Sequence, residues 1–173
     1  MRKRYLSSVL ILCFAFAFLC GCSGSKSGGV KDYLGNYSYA EPAVCMVYET
    51  VEGEIDEAGN PCYGIQYRKV TDLDGLIASG NTLLLYFYSS MSNSGAVITA
   101  SMEDVAQAYN GKFAVIMIDA MEYPDLMSKY KIEAVPDFVL IKAGQEDQVF
   151  CSSSYGYWSV NDVLSWLQSN GIK

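Results

Sequence analysis

Residues 81–109 read NTLLLYFYSSMSNSGAVITASMEDVAQAY, an apolar run that stops at a polar loop and resumes with helical spacing. Leu83 to Tyr88 is six consecutive apolar or aromatic residues without a breaker, the pattern of a strand buried on both faces in the middle of a sheet. Ser89, Ser90, Ser92, Asn93, Ser94 and Gly95 follow as a small polar loop, and Val97, Ile98, Ala100, Val105, Ala106 and Tyr109 then recur at helical intervals. The stretch predicts strand, turn and helix. Its loop lies at a helix N-terminus, where N–H groups point outward and the dipole favours anions.

The chain on either side alternates in the same way. Downstream, Phe113 to Ile118 (FAVIMI) predicts a second inner parallel strand ending at Asp119, then a short helix from Pro124 to Tyr130. Phe138 to Lys142 predicts another inner strand, Ala143-Gly144 a turn, and Gln148 to Ser152 its antiparallel partner. Ser159 caps a last helix, with Asp162 completing a capping box and Val163, Trp166 and Leu167 packing it down. Upstream, Val44 to Val51 and Gly64 to Val70 predict strands separated by the acidic turn region Glu52 to Pro61. Thr71 caps a short helix that Gly80 ends, and Lys31 to Pro42, lacking any period, wraps against the domain without forming an element. The order predicts an α/β fold: three layers, a mixed sheet with helices on both faces.

The central stretch resembles thioredoxin, without a gap from the strand through Tyr109-Asn110-Gly111-Lys112. A second match is Tyr130 followed by Lys131-Ile132-Glu133-Ala134-Val135-Pro136-Asp137, similar to the family's Tyr-x-Ile-x-x-x-Pro-Thr with Asp137 in place of Thr. The resemblance covers Ile65 to Ile172 and implies a thioredoxin-like domain over residues 64–173. Gly64 to Val70 would be its first strand, and 31–63 would be an N-terminal extension whose strand can widen the sheet. It also implies a cis bond at Val135-Pro136 forming one wall of a substrate groove, where Asp137, standing for a neutral residue, is expected to add negative charge and favour a basic or Tyr-rich peptide. The other walls would be Met91, Ser92, Asn93 and Ser94 at the helix N-terminus, and Tyr155, Tyr157 and Trp158 in the loop on the far side.

Its departures bear on chemistry. The family's loop is Trp-Cys-Gly-Pro-Cys, and its first thiol is acidified by the helix N-terminus. Here the matching residues are Met91-Ser92-Asn93-Ser94-Gly95, so Ser92 stands for the attacking cysteine and Gly95 for the resolving one. The buried carboxylate beneath the family's site is matched by Tyr86. The resemblance therefore implies the fold but no catalytic residue, cofactor or metal. Ser92 and Ser94 read as helix-capping residues, because a serine nucleophile needs a base and the chain contains no histidine.

The chain opens with Met1-Arg2-Lys3-Arg4 and a mostly apolar run from Leu6 to Phe18, the layout of a signal peptide. Leu19-Cys20-Gly21-Cys22 is similar to the lipobox of bacterial lipoproteins, which implies cleavage after residue 21 and acylation of the Cys22 thiol. Residues 22–30 then form a flexible tether. The expected protein hangs by lipid from the extracytoplasmic face of the cell membrane. Loss of the signal leaves 9 basic against 19 acidic residues, so nucleic acid is not an expected partner. Cys45, Cys62 and Cys151 remain as thiols. Cys45 and Cys62 face each other only if the hairpin turns at Gly53-Glu54, whereas the stronger turn signal, Asp56 to Pro61, sets them out of register and leaves three free thiols. The expected function is a non-catalytic binding or accessory module with a protein or peptide partner. The alternative is a divergent thiol-disulfide oxidoreductase using Cys151 or the Cys45 and Cys62 pair.

Overall fold

Leu83–Tyr88 forms the strand through which both cores meet, because its side chains are apolar on both faces. A computed structural model describes residues 28–91 and 95–173 of the chain. Seven strands, β1 (Leu34–Tyr37), β2 (Ala43–Ile55), β3 (Pro61–Val70), β4 (Leu83–Tyr88), β5 (Ala114–Asp119), β6 (Asp137–Ile141) and β7 (Gln148–Val149), make one sheet in the order β1-β3-β2-β5-β4-β6-β7. The β4–β5 pair is parallel and the other pairs are antiparallel.

Period-two alternation divides β4 between two cores. Leu84 and Tyr86 point into one, closed by Met102, Val105 and Ala106 of α2 (Gly95–Ala108) and Val163 and Leu167 of α4 (Val160–Ser169). Leu83, Leu85 and Phe87 point into the other, closed by Leu73 and Leu76 of α1 (Leu73–Ala78) and Leu126 and Tyr130 of α3 (Pro124–Tyr130). The result is the expected three-layer arrangement. Helix ends follow local chemistry: the Asp162 carboxylate accepts from both the N–H and the hydroxyl of Ser159, each at 2.8 Å, closing the start of α4. At α1 the cap is Asp72, one residue later than expected, whose carboxylate accepts from Gly75 N–H at 2.8 Å. The Thr71 hydroxyl instead donates to the Tyr33 carbonyl. Gly80, at φ +80°, takes the left-handed turn that a side chain would resist.

Three other local expectations change. Residues 31–42 are not a plain wrapping segment: Val30–Tyr33 is a 3-10 turn and β1 pairs with the outer edge of β3, Leu34 opposite Val70. Gly64 to Val70 is not the strand beside β5. That place belongs to β2, whose Ala43 to Met46 pair with Ile118 to Val115. Ala43 to Met46 are all apolar and only 1–4% exposed, suiting an inner position, whereas β3 carries Gln66, Arg68 and Lys69 and sits one place out. The extension 31–63 thus supplies an inner strand of the sheet. Finally, β7 stops at Val149, because Cys151 adopts φ +62° and turns the chain into a 3-10 segment, Ser152–Ser154.

The β2–β3 hairpin turns at Asp56 to Asn60. The Asp56 carboxylate accepts from Ala58 N–H at 2.9 Å and Asn60 N–H at 2.8 Å, and the Asn60 bonds hold its carboxyl below the usual range. This register sets Cys45 opposite Arg68 and Thr50 opposite Tyr63, so Cys45 and Cys62 do not face each other, and all three described cysteines are free thiols.

Candidate functional site

The loop between β4 and α2 leaves the sheet beside two other strand ends. Phe87 pairs with Asp137, so the cis Val135-Pro136 bond preceding β6 lies at the same end of the sheet as Tyr88. Tyr88 also pairs with Asp119, a buried carboxylate whose Oδ1 accepts from Met121 N–H at 3.1 Å. Met91 stands 84% exposed in the loop, and Val135 and Pro136 are half-buried. Ser92, Asn93 and Ser94 lie outside the described residues, as does Cys22.

Beneath the loop, Tyr86 is fully buried, with its hydroxyl 3.1 Å from Thr99 Oγ1 on α2. Burial raises its pKa, opposed by the Thr99 bond, so the phenol stays neutral. It can donate or accept a hydrogen bond, but it cannot relay a proton as a carboxylate does near neutral pH.

Asp137 does not put charge on the groove. It is 1% exposed, and its carboxylate accepts from its own neighbour, Phe138 N–H, at 2.8 Å and from Ser152 N–H at 3.1 Å. Its role is to hold the 3-10 segment after Cys151 against β6. Burial raises its pKa, with these N–H bonds opposing the rise. A carboxyl with a raised folded-state pKa stabilises the fold fully below the unfolded value and loses that contribution as pH rises through the folded value. Asp137→Asn should therefore remove a downward slope in unfolding free energy that the parent shows from the ordinary carboxylate range upward. Denaturant midpoints from pH 3 to 7 check this: parallel curves for the two proteins would contradict it.

The aromatic loop also differs from a groove wall. Trp158 packs edge-on to Phe138 and Phe150, with centroids 5.7 and 5.5 Å away, and Tyr155 stacks on Phe150 at 4.9 Å. Tyr157 is 89% exposed and borders a cleft between α2 and α4 that Val97, Tyr109 and Leu164 also line. Among the described residues, that cleft does not include Met91, Val135 or Pro136. The structure therefore gathers Met91 and the Val135-Pro136 edge at one end of the sheet, buries Asp137 and most of Trp158, and turns Tyr157 toward the helices. Sequence reasoning missed the buried pairing of Asp137 with Ser152. The signal available was a carboxylate at the head of an otherwise wholly apolar strand.

The thioredoxin family model matches residues 67–157, which begin in β3 and run past the 3-10 segment. The chain belongs to the thioredoxin family. Its fold is the thioredoxin fold, with β2 as an inner strand. Thioredoxin Y1 of Arabidopsis thaliana chloroplasts is 32% identical over 72 residues, 42% of this chain and 42% of that protein. A Staphylococcus aureus thioredoxin is 30% identical over 79 residues, 44% of this chain and 75% of that one. The chain thus spans less than half the length of the plant relative. The crystal structure of mitochondrial thioredoxin 3 from Saccharomyces cerevisiae, oxidized form, aligns with a TM-score of 0.41 at 23% identity, covering 56% of this chain and 81% of that one.

The thiols of this thioredoxin-family chain are far apart. Cys45, 1% exposed, has its thiol pushed up to about 12, chiefly by burial. Cys151 is exposed, with Sγ 3.0 Å from Ser154 Oγ. Cys151 follows β7, four strand steps from the β2 that carries Cys45, so at about 4.8 Å per step the two are separated by roughly 19 Å, too far to bridge.

Proposed function

We propose that the chain is a lipid-anchored, extracytoplasmic thioredoxin-family lipoprotein that binds a protein or peptide partner and does not catalyse thiol-disulfide exchange. The observation that carries this reading is the absence of both redox cysteines where β4 leads into α2: Ser92 and Gly95 occupy the positions of the family's two thiols. Thiol-disulfide exchange requires a thiolate at the point of attack, and a serine hydroxyl is not ionised at neutral pH. Tyr86 supports the same conclusion, since a neutral phenol replaces the carboxylate beneath the site. The rival reading, an oxidoreductase using other cysteines, takes two forms. The Cys45 and Cys62 pair is ruled against by the hairpin register, which does not set them opposite each other, and Cys151 acting alone would have to attack from beyond β7, away from the loop where β4 leads into α2.

What the site retains is an edge for docking. Met91 and the cis Val135-Pro136 segment lie together, and an extended chain can add to exposed backbone there while side chains sort the partner. Lipidation at Cys22 would also orient that edge. Gly28, six residues on, has its carbonyl held by Asn81 Nδ2 at 3.0 Å, at the N-terminal end of β4. A tether of six residues reaches about 20 Å at most. The Gly28 end of the sheet would therefore stay within about that distance of the bilayer, leaving the Met91 end the farther from the anchor.

A pull-down from membranes with the full chain tests the docking edge. Met91→Glu should reduce partner recovery about tenfold, the scale of one interface hot spot, whereas Tyr157→Ala should leave it unchanged. Loss with Tyr157→Ala alone would place the partner in the cleft between α2 and α4, and no loss with either would sink the proposal.

A further inference from the structure

At the opposite end of the sheet, β2 outruns its neighbour. It is 13 residues long and pairs with β3 in one register from Val44 to Thr50 and, past a bulge that contains Gly53 at φ +79°, again at Ile55 opposite Pro61, yet β5 leaves it after Met46 opposite Val115. Residues 47–55 therefore project as one strand of a two-stranded arm, with no strand on their β5 side among the described residues. The Pro42 carbonyl faces β5, since it accepts from Asp119 N–H at 2.8 Å. Antiparallel alternation then turns the backbone N–H and C=O of Val44, Met46, Tyr48 and Thr50 to the same side. The first two belong to the ladder. Those of Tyr48 and Thr50 continue it with no strand paired to them among the described residues, a free edge of the kind that accepts another strand.

A cavity of about 340 Å³ opens where β5 begins, lined in part by Val47, Asn110, Phe113 and Ala114. It stands at the head of the empty track and, because Lys31 and Lys112 also line it, is placed to take an apolar rather than a cationic side chain of an incoming strand. The Tyr48 ring, 5.8 Å from that of Tyr63, gives one face of the arm an aromatic shelf.

Charge selects the occupant. Glu52 and Glu54 are exposed on the free strand, while Glu49 is already engaged, its Oε1 2.9 Å from Arg68 Nε. A second copy of the same edge would bring these carboxylates against their own counterparts, and like charges facing across strands destabilise the pair. A strand carrying lysine or arginine gains where the copy loses, and its cations can also sit over Tyr48. We propose that the free edge of β2 at Tyr48 and Thr50, with Glu52 and Glu54 beyond it, takes an extended cationic segment of a partner protein as an added strand. This surface is separate from the Met91 edge and does not depend on it.

The test uses the full chain in detergent micelles and two octapeptides of alternating valine, one with lysine and one with glutamate between. Hydrogen exchange of the Tyr48 and Thr50 amides, read by NMR, should slow about tenfold with the lysine peptide and not with the glutamate peptide. Thr50→Pro deletes an edge donor while leaving the β3 side intact, as proline is tolerated on an outward edge. It should weaken lysine-peptide binding about tenfold with little change in unfolding midpoint. Exchanging Glu52→Lys and Glu54→Lys should reverse the preference between peptides. Equal protection by both peptides, binding unaffected by both variants, or protection that grows with protein concentration in the absence of peptide would each overturn the proposal; the last would identify a second copy as the occupant.

Discussion

Phe138→Ala should remove about 3–5 kcal/mol of unfolding free energy, the range for truncating a buried aromatic ring. Phe138 is fully buried on β6, and three rings converge on it: Tyr86 nearly parallel at 5.3 Å, and Phe150 and Trp158 edge-on at 5.9 and 5.7 Å. Since Phe150 in turn carries Tyr155, the truncation also unseats the loop after β7. Domains of this size are stable by about 5–15 kcal/mol, so the change is a large share of the whole. Tyr86→Phe provides the control. It keeps the stacked ring and deletes only the hydroxyl near Thr99, at a cost of about 1 kcal/mol. Denaturant midpoints of the two variants should differ widely, and equal losses would show that the ring cluster is not the support of this half of the core.

Cys22→Ser is expected to abolish fatty-acid labelling and leave a precursor longer by the 21 signal residues. The physical basis is chain number. Each buried methylene contributes about 0.8 kcal/mol, so one acyl chain holds marginally while two or three hold lastingly. A serine hydroxyl offers no thioether, and cleavage that depends on the modified cysteine would stop. Labelling that persists in the variant would contradict the lipoprotein assignment. It would leave the binding reading of the folded domain standing.

The elements easiest to read were those whose burial is symmetric. Leu83–Tyr88 and, up to Ile118, Ala114–Asp119 are apolar on both faces, so no alternation had to be resolved, and the family resemblance led into them. The helix Pro124–Tyr130 and the capping box at Ser159 were legible because a proline and a serine–aspartate pair mark helix starts locally. The order of the outer strands was not legible. Val44 to Val51 and Gly64 to Val70 are both plausible neighbours of β5, and the choice rests on which of them has nothing polar to keep wet: Ala43 to Met46 can be buried completely, Arg68 cannot. Asp137 misled for a related reason. A carboxylate beside the cis proline suggests a charged rim, yet its N–H partners come from Phe138 and from Cys151 and Ser152, the last two brought to it by the left-handed turn at Cys151. Likewise the exposure of Tyr157 and the burial of Trp158, adjacent in sequence, depend on where Phe138 and Phe150 stand.

The measurement that bears most directly on the central claim is reduction of insulin disulfides by the purified chain in the presence of dithiothreitol. With Ser92 and Gly95 at the positions of the two thiols, no attacking thiolate is available at that site. The rate should equal that of dithiothreitol alone, both for the parent and for Cys151→Ala. A rate above the reagent's own that disappears in Cys151→Ala would contradict the account and make the chain an oxidoreductase working through an unexpected thiol.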